Sequence, residues 1–220
     1  MKLLPVVIVA LGVAFPSIAA TQILPPVEFG LGLNYGSLVF GPQKTFAQEL
    51  LSPVPDSLIY RSATLVGRFF PWEFLGFETA GTFGTIAVSS PSTQWLNVYN
   101  LSQFSFGLNL RFRLSPRASP YWVTLRVGGG GTLNSLTYHD DFAALLPAGQ
   151  SYPTIAGGLG WYAKGELVIG SGLVFGSLGL NFARATDTFS ASGADVSGNY
   201  LTVPFMLGLS IIDLGITKSD

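Results

Sequence analysis

The sequence predicts an all-β fold: a transmembrane, antiparallel, up-and-down β-barrel of about eight strands, with short periplasmic turns and four longer outer loops. Three observations carry this reading. The chain is apolar, with 48% hydrophobic and only 10% charged residues among 220 and a mean hydropathy of +0.46, yet past its first twenty residues no stretch reaches the ~20 continuous apolar residues of a helical span. The apolar residues instead alternate with small and polar ones at period two, which is strand spacing. The charges within those strands fall on the face opposite the bulky apolar side chains, as a lipid-facing wall requires.

Composition narrows the class further. The 27 glycines, 17 phenylalanines and 14 prolines favour many short strands and tight turns over helices, whose interiors Gly and Pro destabilise. A net charge of −1 supplies no basic field for nucleic acid, so no nucleic-acid partner is expected. The absence of cysteine removes disulfides, thiolate metal sites, a cysteine nucleophile and a lipid anchor on an N-terminal cysteine.

Residues 1–19 read as an export signal. Lys2 gives the positive end, Leu3 to Phe15 the apolar stretch, and Ser17, Ile18 and Ala19 a small-x-small cleavage site. Cleavage there starts the mature chain at Ala20; cleavage one residue later would put the larger Ile18 where a small side chain is preferred. Residues 20–220 are expected to form one barrel domain. The apolar stretch is too short to cross ~30 Å of hydrocarbon comfortably as a helix.

Alternation is clearest from Phe104 to Leu114, where Phe104, Phe106, Leu108, Leu110, Phe112 and Leu114 share one face and Ser105, Gly107, Asn109, Arg111 and Arg113 the other. After a turn at Ser115 to Pro120 it resumes with Tyr121, Val123, Leu125 and Val127 opposite Trp122, Thr124, Arg126 and Gly128, which makes a hairpin. Further strands are expected near Val27 to Gly36, Leu58 to Phe69, Phe74 to Thr85, Ile155 to Leu167, Val174 to Phe182 and Tyr200 to Ile211. Connections at Phe70 to Glu73, Ser115 to Pro120 and Gly170 to Gly172 are short. Those after Gly36, Thr85, Leu133 and Phe182 are long and polar or Pro-rich, the asymmetry of an outer-membrane barrel with both ends in the periplasm.

With Phe29, Leu31, Leu33 and Tyr35 facing lipid, Glu28 points inward, and by the same count so do Arg68, Glu78, Arg111, Arg113, Arg126, Lys164 and Glu166. These eight form the candidate lumen charge cluster, with Glu78 as its hub, accepting from Arg126 or Arg111. Arg61 and Arg184 share the apolar parity but lie at the outer mouth. Phe69, Phe70, Trp72, Phe112 and Tyr121 at the inner side, and Tyr35, Phe83 and Phe182 at the outer side, read as two interfacial girdles. A soluble lipocalin-like binder is the inside-out alternative. Its solvated coat would have to be the face that carries Gly30, Gly32, Gly76, Gly107, Gly128, Gly130, Gly158, Gly160, Gly179 and Gly208, small residues that suit a crowded lumen better.

The segments Pro71 to Glu78, Pro120 to Gly130 and Leu201 to Leu209 resemble those of the small outer-membrane barrels of the OmpA, OmpX and OmpW type. The resemblance covers nearly all of the mature chain. It implies outer-membrane lipid and the barrel assembly machinery as partners, with an extracellular ligand reached through the loops. One departure is the terminus: the family's last strand usually ends on an aromatic residue, whereas here the chain runs through Asp213 and Leu214 to Asp220.

Chemistry is sparse. His139, beside Asp140 and Asp141 in the third outer loop, is the single histidine; a carboxylate next to an imidazole is the one seed of a barrel-enzyme reading, set against a solvated loop. Gly128 to Gly131 lacks the helix, Lys and hydroxyl of a phosphate loop. Gln43 to Ser52, with Phe46, Leu50 and Leu51 on one side, has the pattern of a short loop helix. No enzyme activity, metal site or cofactor is expected. The function expected is an integral barrel with a structural or surface-interaction role, the alternative being a narrow OmpW-like channel for small solutes, for which the glycine-lined interior would leave room.

Overall fold

The computed structural model describes residues 24–40, 58–90, 93–144, 155–185 and 198–211. The signal segment, its cleavage site and Gln43 to Ser52 lie outside the described residues. The elements in chain order are β1 (Val27–Phe40), β2 (Leu58–Phe69), β3 (Leu75–Ser90), β4 (Thr93–Arg113), β5 (Trp122–Tyr138), the single-turn helix α1 (Asp140–Ala143), β6 (Ile155–Ser171), β7 (Val174–Ala185) and β8 (Gly198–Ile211). Each strand pairs antiparallel with its sequence neighbours, and β8 pairs with β1, so the sheet closes as an eight-stranded barrel with no free edge.

The period-two pattern becomes the barrel wall. Phe29, Leu31, Leu33, Leu65, Phe77, Phe104, Phe106, Leu108, Leu167, Leu178 and Leu209 are all exposed on the outside, while Glu28, Arg68, Glu78, Asn109, Arg126 and Glu166, at the opposite parity, are buried within. Phe106 is 56% exposed and Asn109, on the same strand, is 0% exposed. A wall of this kind is stable only against an apolar solvent. No helix of the described residues is long and apolar enough to cross a membrane.

Three short connections close one rim. The tightest joins Ser171 to Val174 through Gly172, whose φ of 55° is the left-handed conformation that glycine takes without steric cost. At the other rim the strands run further than their alternation indicates. β3 and β4 continue as a paired ribbon to Ser90 and Thr93, so most of the long outer connection after Thr85 is hydrogen-bonded strand, and β5 continues past Leu133 to Tyr138. A register shift between Ile86 and Ala87 leaves Val98 as an extra residue on β4. A bulge breaks alternation locally, and here Val98 and Tyr99 are both fully buried. The β7–β8 pairing skips Gly179 and Leu180 opposite Val203 and Pro204, where the proline has no N–H to give.

Candidate functional site

An eight-stranded barrel is just wide enough for its inward side chains to fill it, so any function of the lumen depends on how they pack. They form four levels. The first, at the short-turn rim, is an apolar stopper in which Leu24, Trp122, Val168 and Phe175 are buried together. Phe70 joins them from the β2–β3 turn, 3% exposed, with the Arg111 guanidinium 3.8 Å above its ring. This corrects the expectation that Phe70 belongs to the inner girdle. It follows Arg68 at the same parity and turns in with it, whereas Phe69, Trp72, Phe112 and Tyr121 are exposed.

The glycines of this level leave no open space. A Cβ on Gly170 would lie 2.2 Å from the Trp122 ring, one on Gly208 2.4 Å from that of Phe175, and one on Gly76 2.4 Å from that of Phe70. Each glycine is the seat of a large side chain reaching across from elsewhere. The room that the glycine-lined face was expected to leave is therefore occupied in this half of the barrel.

The second level is ionic. Arg126 meets Glu28 through two parallel bonds of 2.7 Å each. Arg68 reaches Glu78 with Nε at 2.7 Å and Glu166 with Nη2 at 2.8 Å. Glu28 and Arg126 stand on β1 and β5, Arg68 and Glu166 on β2 and β6, so each pair joins strands four apart in a ring of eight. Both are struts across the bore. Charge-assisted, two-pronged contacts of this kind hold a fixed geometry.

Glu78 collects further donors: Lys164 Nζ, Asn109 Nδ2 at 2.9 Å and the Tyr162 hydroxyl at 3.4 Å. The sequence reading expected Arg126 or Arg111 as its donors. Arg126 and Arg111 turn instead to Glu28, with Arg111 Nη1 3.6 Å from Glu28 Oε1. Arg111 also donates to the backbone oxygens of Pro25 at 2.8 Å and Glu73 at 3.0 Å. Arg113 donates to the carbonyls of Ser115 and Pro116 at the rim. Seven of the eight candidate residues thus meet, four cations against three carboxylates. Sequence reading passed over Asn109, Tyr162 and Ser177, the last donating to Glu166 at 2.5 Å. Their inward parity was visible, but nothing in an uncharged side chain marks it as a partner.

The third level is a polar chamber of about 70 Å³ above the ionic floor, room for a few water molecules. Asn34 donates to Ser62 and Thr64 at 2.8 and 2.7 Å, and Thr64 meets Thr82 at 2.8 Å. The fourth is an apolar lid of Leu58, Tyr60, Ile86, Val98, Tyr99, Leu101, Leu136, Phe142 and Tyr200. The bulge at Val98 adds to it, and the freed Val98 carbonyl accepts the His139 N–H at 3.0 Å. That bond seats α1, so Phe142 packs on Tyr99 and Tyr138. His139 caps the helix: its Nδ1 accepts from the Asp141 N–H at 3.3 Å and lies 3.3 Å from the Asp141 carboxylate. Among the described residues no group of three His, Cys, Asp or Glu is placed to hold a metal ion.

Outside, Arg61 and Arg184 are exposed near the long-loop rim; Arg61 Nη2 reaches Asn97 Oδ1 at 3.4 Å. Trp161 and Phe182 lie with ring centres 5.4 Å apart at the same rim as Tyr35 and Phe83.

The wall is apolar outward, ionic inward and closed on itself. The chain is a small eight-stranded barrel of the transmembrane kind. No family model and no curated protein sequence matches it. Among solved structures it is similar to neisserial surface protein A, at 13% identity and a TM-score of 0.46 over 85% of this chain and 96% of that one. It is also similar to Ail, the attachment invasion locus protein of Yersinia pestis (9%, 0.43, covering 86% and 98%). A third is the outer membrane protein OprG from Pseudomonas aeruginosa (11%, 0.43, covering 87% and 97%).

Proposed function

We propose that this chain is exported by residues 1–19 and inserted into a bacterial outer membrane as a sealed barrel, which holds its long connections on the outer side in a structural or surface-interaction role. The observation that carries the reading is the pair of struts, Glu28–Arg126 and Arg68–Glu166, crossing the bore above an apolar stopper. A lumen so filled serves as the rigid core of a display scaffold. The short-turn rim, where β1 begins and β8 ends, faces the periplasm, since outer-membrane barrels keep their tight turns there. Outer-membrane lipid and the barrel assembly machinery are the partners of the wall, and an extracellular ligand is the partner of the loops. Catalysis and nucleic-acid binding have no part in it; His139 serves as a helix cap.

A narrow channel for small solutes is the second reading, and the polar chamber favours it. It requires the struts to part. Membrane fractionation tests the primary placement: the mature protein should resist carbonate extraction, sediment with the outer membrane and run as a heat-modifiable band. Recovery as a soluble periplasmic species would overturn it.

A further inference from the structure

The lumen's short-turn end is closed partly by residues that precede the first strand. Leu24 is 4% exposed and belongs to the buried cluster of Trp122, Val168 and Phe175. Pro25 is buried behind it, its carbonyl accepting from Arg111 Nη1 at 2.8 Å, and the Pro26 carbonyl accepts from the Phe70 N–H at 2.7 Å. Arg111 completes the clasp, with Nε on the Glu73 carbonyl and its guanidinium on the Phe70 ring.

The chemistry of the segment suits this place. Proline has no N–H, so Pro25 and Pro26 carry no backbone donor that burial would leave unsatisfied, and the pair holds an extended, stiff conformation that loses little entropy on docking. Both of their carbonyls find donors. Leu24 supplies the apolar tip. On β5 the inward residues after Trp122 of this cluster are Thr124, fully buried, and then Arg126 of the strut to Glu28.

We propose that Leu24-Pro25-Pro26 is a removable stopper, held by Arg111 and Phe70, whose withdrawal admits water to the ionic level of the lumen from the short-turn side. The strap enters from the N-terminal side and is not part of any strand, so it can leave without breaking the barrel's ladders. A pull on the chain ahead of Leu24 then removes the strap's share of the seal beside Trp122, Val168 and Phe175, while the lid at the other rim stays shut. Only the name of the compartment on that side rests on the proposed orientation.

The natural chain has no cysteine, so a single introduced thiol reports water access. The test uses the full mature protein, folded in detergent micelles so that both rims are reachable, with Thr124→Cys as the lower reporter, next inward after Trp122 on β5, and Thr82→Cys as the upper reporter, in the polar chamber. A charged methanethiosulfonate reagent is the probe. Each reporter is combined with native Leu24, with Leu24→Asp, and with the milder Leu24→Ser in case the acidic variant does not fold; the heat-modifiable band selects folded protein. Expected is slow labelling of the lower reporter with Leu24 in place, at least tenfold faster labelling of it in the Leu24 variants, and an unchanged rate at the upper reporter. An unchanged rate at the lower reporter, fast labelling there with Leu24 in place, or equal acceleration at both reporters would each overturn the proposal. Failure of the outer-membrane placement would leave these rates untouched.

Discussion

Arg126 and Glu28 form a two-pronged ion pair, both contacts 2.7 Å, between residues 98 positions apart in the chain. Both side chains are fully buried, and their strands face each other across the barrel. Removing one partner of such a pair strands a charge in a low-dielectric interior, at a cost of ~3 to 5 kcal/mol. Arg126→Met and Glu28→Gln should each lower stability by that order, while the double variant should cost less than the sum. Unfolding in urea, followed by tryptophan fluorescence, measures the cycle, and strictly additive costs would show that the two residues are not coupled.

Glu78 gathers Arg68, Lys164, Asn109 and Tyr162. Glu78→Gln keeps the shape but removes one of three carboxylates facing four cations. The temperature at which the folded band disappears on unheated gels should fall, and Lys164→Met added to Glu78→Gln should recover part of the loss by restoring the balance. A folded band unmoved by Glu78→Gln would place that carboxylate in contact with bulk water.

The glycines that seat large rings differ from those on the lipid side. Gly170→Ala would drive a methyl into the Trp122 ring and should cost ~1 to 3 kcal/mol as overpacking. Gly165 has nothing within 4 Å of its added Cβ, so Gly165→Ala should be neutral or slightly stabilising. Urea titrations of the two variants separate the cases, and equal effects would mean that the stopper yields easily.

Facing is tested on β4. Phe106→Arg places a charge on the lipid side near the middle of the wall and should cost ~2 to 4 kcal/mol. Ser105→Asn, one residue earlier and lining the polar chamber, should cost well under half of that. The reverse order would show the barrel read inside out. Asn109 is unsuitable as the inward control, since it is fully buried against Glu78 and an arginine there would meet the network.

How far these relationships were legible depends on their range. Period two identifies a strand's face, and so gave the inward direction of Glu28, Arg68, Glu78, Arg126, Lys164 and Glu166. It carries no information on stagger, the vertical offset between strands, which decides that Arg126 stands level with Glu28 and not with Glu78. The fit of Trp122 on Gly170, or of Phe175 on Gly208, likewise needs the register of neighbouring strands. Val98 hid for a different reason: a bulge erases the alternation that the reading relies on, and with it the apolar lid of the long-loop rim.

The most direct measurement is the current through purified, refolded barrels in a planar lipid bilayer. With the stopper docked, both struts in place and the lid shut, current at neutral pH should stay at the lipid baseline, in the unaltered protein and in Leu24→Asp alike, since the lid still closes the other rim. Steady ohmic steps from the unaltered protein would contradict a sealed lumen.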